Sequence, residues 1–358
     1  FDTTTPGNRV QEMYYQFLSR VKTTNCRHVV VIAGNHDSPT LLNAPANLLK
    51  SLNIHVVGEA SDDDSSELIT LCNQEGQPEA IVCAVPFLRD RDVRVVGEDE
   101  TSTDKTRNLI EGIAAHYQKI AAEAEQLSSQ SGAIPVIAMG HLFTVGGSTI
   151  EGDGTRDLYV GTAVQVGKDI FPATFDYVAL GHLHSAQLVS GDEYKRYSGS
   201  PLPMGFNEAN QVKKVLVVEF NGKQATVTEH RVPVFKTLLR ISGSVEQIVE
   251  KLRTAKETLT EAYLELECTS PELASELTGR VDDETEGVDF KVLRLKNKML
   301  EDQVITRMHA TEELADLDPR EVFERCLQQN AIEEDRRKEL RDCYRELLAE
   351  YETYDKNA

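Results

Sequence analysis

Nine histidines occur in this chain of 358 residues, and four of them share one local context. VVVIA (29–33) runs into Gly34-Asn35-His36-Asp37, PVIAM (135–139) into Gly140-His141, and YVAL (177–180) into Gly181-His182-Leu183-His184. Each time an apolar, strand-like run meets a glycine and passes directly to histidine. Ligands of α/β sheets bind beyond the carboxyl ends of strands, so residues at such tips can converge on one point. Glycine lets the backbone bend there and approach closely. Neutral imidazole and amide oxygen are suitable donors for divalent Mn, Fe or Zn. In an extended segment His182 and His184 would project to the same side. One histidine after a strand is more often a hydrogen-bonded turn residue than a ligand; three such junctions in one domain point to a metal-dependent site. The other histidines, His28, His55, His116, His230 and His309, lack the context and read as structural or surface residues.

The elements that must carry these tips follow from the apolar pattern. Runs at 29–33, 81–85, 135–139, 177–180 and 214–220 have the length and β-branched content of buried strands. Helices are expected at 8–24, 39–52 and 105–128, the last with apolar residues at helical spacing. Such alternation predicts an α/β domain over residues 1–232. Polar stretches at 58–67 and 97–104 and the glycine-rich 146–154 read as surface loops, and no internal repeat is evident. From Pro233 the texture changes to strand (236–242), helix (244–259), strand (262–268), helix (271–279) and strand (290–296), a small α+β domain assigned to 233–304. Residues 305–358 read as charged helices. Asp318-Pro319 is a start signal, Val322, Phe323, Cys326 and Leu327 fall on one face, and 334–353 carries Leu340, Cys343, Tyr344, Leu347 and Leu348 on one stripe.

Composition narrows the function classes. With 59 acidic and 38 basic residues the formal net charge is −21, which argues against coating nucleic acid through a bulk basic surface. Residues 1–232 carry a net −10 and the much shorter 233–358 a net −11, so the acidity is densest away from the histidine junctions. No apolar run reaches the roughly 18–20 residues that span a bilayer. Six scattered cysteines without paired spacing fit reduced thiols and a cytoplasmic location better than a disulfide framework.

GNHD, GH and GHxH, in that order, resemble the later signatures of the calcineurin-like metallophosphoesterases. GNHDSPTLLNAPANLL, VPFLRDRDV, GHLFTVGG, RDLYVGT, DYVALGHLHSAQ and YSGSPLPMGFNE extend the likeness, so that most of the first domain is similar to the SbcD family of bacterial nuclease subunits. The resemblance implies a layered β-sheet core with flanking helices, then an α+β capping domain and C-terminal helices. It implies that Asn35 and His141 bind one metal ion with His182, that His184 binds a second, and that His36 is the catalytic histidine beside the scissile phosphate. Asp2 is similar to the last residue of the family's G-D-x-F-D motif, which would orient His36. Two divalent ions, Mn²⁺ for preference, would support hydrolysis of DNA at double-strand ends and hairpins, in recombination, replication and repair. The implied partners are an SbcC-type coiled-coil ATPase, docked by the terminal helices, and a second nuclease subunit in a heterotetramer, with no membrane involved.

The chain departs from the family pattern at its start. FDTTTP, with Phe1 rather than Met, reads as the opening of a fragment, and the family's D-x-H and the metal-bridging Asp of G-D-x-F-D would precede it. Without them the second ion keeps only His184 among the signature ligands, and the 358-residue chain is expected to bind metal weakly. Two alternatives therefore stand beside the DNA nuclease: a phosphodiesterase of the same superfamily acting on small nucleotides, and a non-catalytic chain that engages the ATPase. Among lesser features, Arg89, Arg91 and Arg94 interleave with Asp90 and Asp92 and read more readily as surface ion pairs than as DNA contacts. Gly146, Gly147 and Gly152 fit a solvated turn better than a substrate loop. Ser198-Gly199-Ser200-Pro201 fits a turn as well as a donor near the site.

Overall fold

The computed structural model describes residues 1–61, 66–93, 101–144, 166–270 and 274–297, with 323, 324, 327, 337, 338, 340, 341 and 343–345. Readings that fall on Arg94, 97–100, 146–154, His309 and Cys326 lie outside these residues.

Alternation of side chains along the central strands sets the architecture. A six-stranded sheet has the order β3 (Leu68–Cys72), β4 (Pro78–Ala84), β5 (Val136–His141), β6 (Tyr177–Gly181), β8 (Asp192–Tyr197), β7 (Gln187–Val189). The inner four, β4, β5, β6 and β8, run parallel, and β3 and β7 pair antiparallel at the edges. On β4, Ile81 and Cys83 face one side and join a cluster with Leu109, Ile113, Tyr117 and Ile120 of helix α5 (Ser102–Gln130). Val82 and Ala84 face the other side and pack with Val30, Ile32 and Val57, which belong to a separate parallel pair, β1 (Val29–Ile32) and β2 (Ile54–Val57). The far side of that pair packs Val29, Val31, Ile54 and Val56 against Leu18 of α1 (Asn8–Lys22) and Leu49 of α3 (Ala46–Lys50). Burial on both faces explains why these strands read as unbroken apolar runs. β9 (Lys214–Asn221) and β10 (Gln224–Arg231) form an antiparallel pair of their own.

Several expectations need correction. The helix expected over 39–52 is two short helices, α2 (Pro39–Asn43) and α3, broken at Pro45, which has no N–H to continue the ladder. The stretch 58–67 is not a uniform surface loop, because Glu67 is fully buried and its Oε2 lies 2.8 Å from Nε2 of His116 on α5. Residues 101–104 belong to the start of α5, where Thr101 Oγ1 accepts from the Asp104 N–H and the Asp104 carboxylate accepts from the Thr101 N–H, a reciprocal cap. The α4 helix (Asp90–Val93) occupies part of the arginine-rich segment, with Arg91 Nε 3.4 Å from Asp92 Oδ1.

Phe1–Arg240, Thr260–Glu265 and Asp289–Lys291 form one compact unit, and Ile241–Leu259, Leu266–Val288 and Val292–Ala358 a second. A three-stranded sheet follows the order β11 (Leu238–Gly243), β12 (Glu261–Cys268), β13 (Asp289–Asn297). Helix α6 (Val245–Lys256), opened by a Ser244–Gln247 capping box, buries Val245, Ile248, Val249 and Leu252 and pairs with α7 (Ala274–Thr285) through Arg253–Glu284 and Arg280–Glu246. Near the end of the chain Phe323 stacks on Tyr344 at 3.9 Å and Arg341 makes two bonds to Glu324. Among the described residues, no helix is long and apolar enough to cross a membrane.

Candidate functional site

The ends of β1, β5 and β6 place the three Gly-His junctions side by side. His141 closes β5 opposite Gly181, which closes β6. Residues 34–37 turn sharply after β1: Asp37 Oδ2 accepts from the Gly34 N–H at 2.7 Å, and the Asp37 N–H returns to the Gly34 carbonyl at 3.2 Å.

The His141 ring is clamped between two glycines. A Cβ on Gly34 would lie 2.7 Å from His141 Cε1, and one on Gly181 would lie 3.0 Å from its Nδ1. Nε2 of His141 is 3.0 Å from Oδ1 of Asn35. The His182 ring stands edge-on to His141 with centroids 5.3 Å apart, and Phe87 and Phe143 flank the two imidazoles. Burial, followed by the like charges of His182, His36 and His184, pushes the His141 pKa down to about 3, so its imidazole is neutral.

His182 and His184 do not sit on an extended strand. The strand stops at Gly181, and His182 takes a φ of 103°, a conformation rare for a side chain of its size and one that clusters at functional sites. Leu183 between them is buried in the core. His184 turns its Nδ1 onto Glu208 Oε1 at 2.9 Å. His36 donates from Nδ1 to the main-chain carbonyl of Asp2 at 2.9 Å, while the Asp2 carboxylate stands 3.8 Å away.

Two residues that sequence reasoning did not single out complete the surroundings. Glu208 is fully buried, and Lys213 nearly so. Lys213 Nζ donates to Glu208, to Ser200 Oγ at 2.9 Å and to the His184 carbonyl at 3.0 Å. The Ser200 N–H also reaches the His184 carbonyl, at 3.0 Å. The segment 198–201 is thus both a turn and a donor beside the site. Glu208 closes the quoted YSGSPLPMGFNE without a role of its own there, and Lys213 lies outside every quoted motif; their burial arises from the fold.

The donors fit a divalent cation. In octahedral coordination, bonds of about 2.1 Å meeting at a right angle put neighbouring ligands about 3.0 Å apart, the spacing of Asn35 Oδ1 and His141 Nε2. The amide oxygen of Asn35 can only accept, so in the metal-free chain Nε2 of His141 carries the proton, and with that proton moved to Nδ1 the neutral imidazole and the amide oxygen are an N/O pair suited to such an ion. Among the described residues, no three of His, Cys, Asp or Glu converge closely enough to hold an ion by themselves, so the cradle is a partial donor set.

Comparison with known proteins decides the family. SbcD of Escherichia coli K12, the D component of the nuclease SbcCD, is 32% identical over 351 residues, covering 97% of this chain and 86% of that protein. The chain belongs to the SbcD family. The SbcD proteins of Rhodobacter capsulatus and Bacillus subtilis are 34% and 33% identical over 234 and 233 residues, spanning 63% and 64% of this chain and 56% of each relative. The SbcD_C family model, described as type 5 capsule protein repressor C-terminal domain, matches residues 234–331. The SbcD likeness therefore covers both the histidine junctions and the α+β unit that follows them.

Proposed function

We propose that this chain is the nuclease subunit of a complex with an SbcC-type ATPase, hydrolysing DNA phosphodiesters at double-strand ends and hairpins with two divalent ions, Mn²⁺ for preference. The observation that carries this reading is the convergence of Asn35, His141 and His182 at three strand ends, in a chain of the SbcD family. We read the stacking of helix, strand pair, sheet and helix as the metallophosphoesterase core.

Asn35, His141 and His182 would hold one ion and His184 the other. When bound, such ions supply charge neutralisation at the phosphate and an activated water for in-line attack. The chain's own contribution is orientation. The glycine clamp fixes His141, and the Asp2 carbonyl takes the Nδ1 proton of His36. His36 Nε2 is then the atom that would hold or move a proton at the leaving oxygen. Phe87 and Phe143 give the site an apolar flank that limits water.

The proposed nuclease dimer has support on α1. Val10, Met13 and Phe17 recur at helical spacing and are exposed, Phe17 at 62%. A stripe of this kind on one helix is self-complementary under two-fold symmetry. Leu48 on α3 and Leu52 just after it are exposed as well.

The test is cleavage of linear duplex and hairpin DNA by the chain joined to an upstream segment that carries the family's D-x-H and G-D-x motifs, with an SbcC-type ATPase, ATP and Mn²⁺. Metal-dependent cutting that Asn35→Ala and His141→Ala abolish supports the reading. Intact DNA under all these conditions contradicts it.

A further inference from the structure

We propose that Glu208, locked by Lys213, is a positioning residue that holds His184 in its Nδ1–H tautomer and so reserves Nε2 as the lone-pair nitrogen. The use of that lone pair for a metal rests on the reading above; the tautomer does not.

Proton count decides the tautomer. Glu208 is fully buried, and every group that meets its carboxylate is a donor or can act as one. Oε2 takes the ammonium of Lys213 and the Met204 N–H at 3.2 Å, with the Ser200 hydroxyl at 3.3 Å. A carboxylate paired with a lysine ammonium is ionised, and an ionised carboxylate only accepts. Oε1 lies 2.9 Å from His184 Nδ1. The proton in that contact therefore sits on Nδ1, and in the neutral ring this leaves Nε2 without one. Which imidazole nitrogen can bind a ligand is set by the hydrogen bond that the other makes, and a carboxylate behind a histidine both fixes the ring and raises its basicity.

Lys213 explains why the carboxylate stays where it is. Its Nζ meets four acceptors: Glu208, Ser200 Oγ, Gln211 Oε1 at 2.9 Å and the His184 carbonyl at 3.0 Å. It thereby bolts the main chain of the histidine that Glu208 orients to the side chain that orients it. A buried acid without this cation would carry an uncompensated charge. The pair is thus a support for His184, in contrast to exposed ion pairs such as Arg253–Glu250.

The experiment is ¹⁵N NMR of the metal-free chain labelled at histidine, with His184 assigned by His184→Gln. Wild type is expected to show Nδ1 protonated and Nε2 unprotonated at His184. Glu208→Ala should give a mixture of tautomers. Glu208→Gln, whose amide oxygen still accepts, should restore the Nδ1–H form, and circular dichroism checks that each variant folds. Lys213→Met combined with Glu208→Gln supplies a neutral pair if Glu208→Ala does not fold. In calorimetric titration with Mn²⁺, Glu208→Ala should lose about 10–100-fold in affinity and Glu208→Gln much less. A wild-type His184 protonated on Nε2, or a tautomer that Glu208→Ala leaves unchanged, overturns the proposal. A fixed tautomer at His184, with no Mn²⁺ uptake even when the chain is joined to an upstream segment that carries the family's D-x-H and G-D-x motifs, supports the positioning role and overturns the metal reading.

Discussion

Nε2 of His141 stands 3.0 Å from Oδ1 of Asn35, although 106 residues separate them in sequence. Two strand ends bring them together, and two glycines hold the imidazole in place. Gly34→Ala puts a methyl group 2.7 Å from His141 Cε1. The neighbour that must yield is the ring itself, so the substitution should cost about 1–3 kcal/mol of stability. It should also weaken metal binding at least tenfold. Urea unfolding and Mn²⁺ titration of the same variant check both.

Stability should fall in acid through His55. Burial, then the like charges of His28 and Lys50, holds its pKa below the ordinary 6.5. Between the folded and unfolded values the unfolded chain binds more protons, so stability is retained above about pH 6.5 and declines as pH falls below it. His55 Nε2 is buried without a partner among the described residues. His55→Gln should flatten the decline in urea midpoint measured from about pH 8 to about pH 5.

Much of the site was legible in sequence because its donors sit where apolar runs end. VVVI, IVCA and YVAL stand out because both faces of their strands are buried. β8, with the sequence DEYKRY, and β10, with QATVTEHR, escape such a reading because partly exposed strands carry polar residues that imitate loops. The break at Pro45 has a local signal in proline chemistry, which the helical spacing around it masks. Lys213 has none, and Glu208 has only its place at the end of YSGSPLPMGFNE. A glutamate and a lysine in a polar segment look solvated until the fold closes over them. The same reason hides Glu67, whose partner His116 comes from a distant helix.

Glu67 and His116 form a buried acid–imidazole contact of 2.8 Å under α5. Removing one member strands the other, and the loss is about 3 kcal/mol for such buried pairs. His116→Ala should therefore lower the unfolding midpoint far more than a surface His230→Ala change, with thermal unfolding as the measurement.

On α1, Phe17→Glu should separate the proposed dimer. A central aromatic anchor contributes at least about 2 kcal/mol to an interface, and a charge in its place adds a desolvation cost. Sedimentation velocity should show a dimer for wild type and a monomer for the variant, with unchanged helix content.

Everything proposed for the site turns on Asn35 and His141 sharing an ion. Crystals grown with Mn²⁺ and measured at the manganese absorption edge test this directly. The expected result is an anomalous peak within bonding distance of both Asn35 Oδ1 and His141 Nε2, with His182 as a further ligand, and its loss in Asn35→Ala. A site without anomalous density at saturating Mn²⁺, with the two side chains simply hydrogen-bonded to each other, would contradict it.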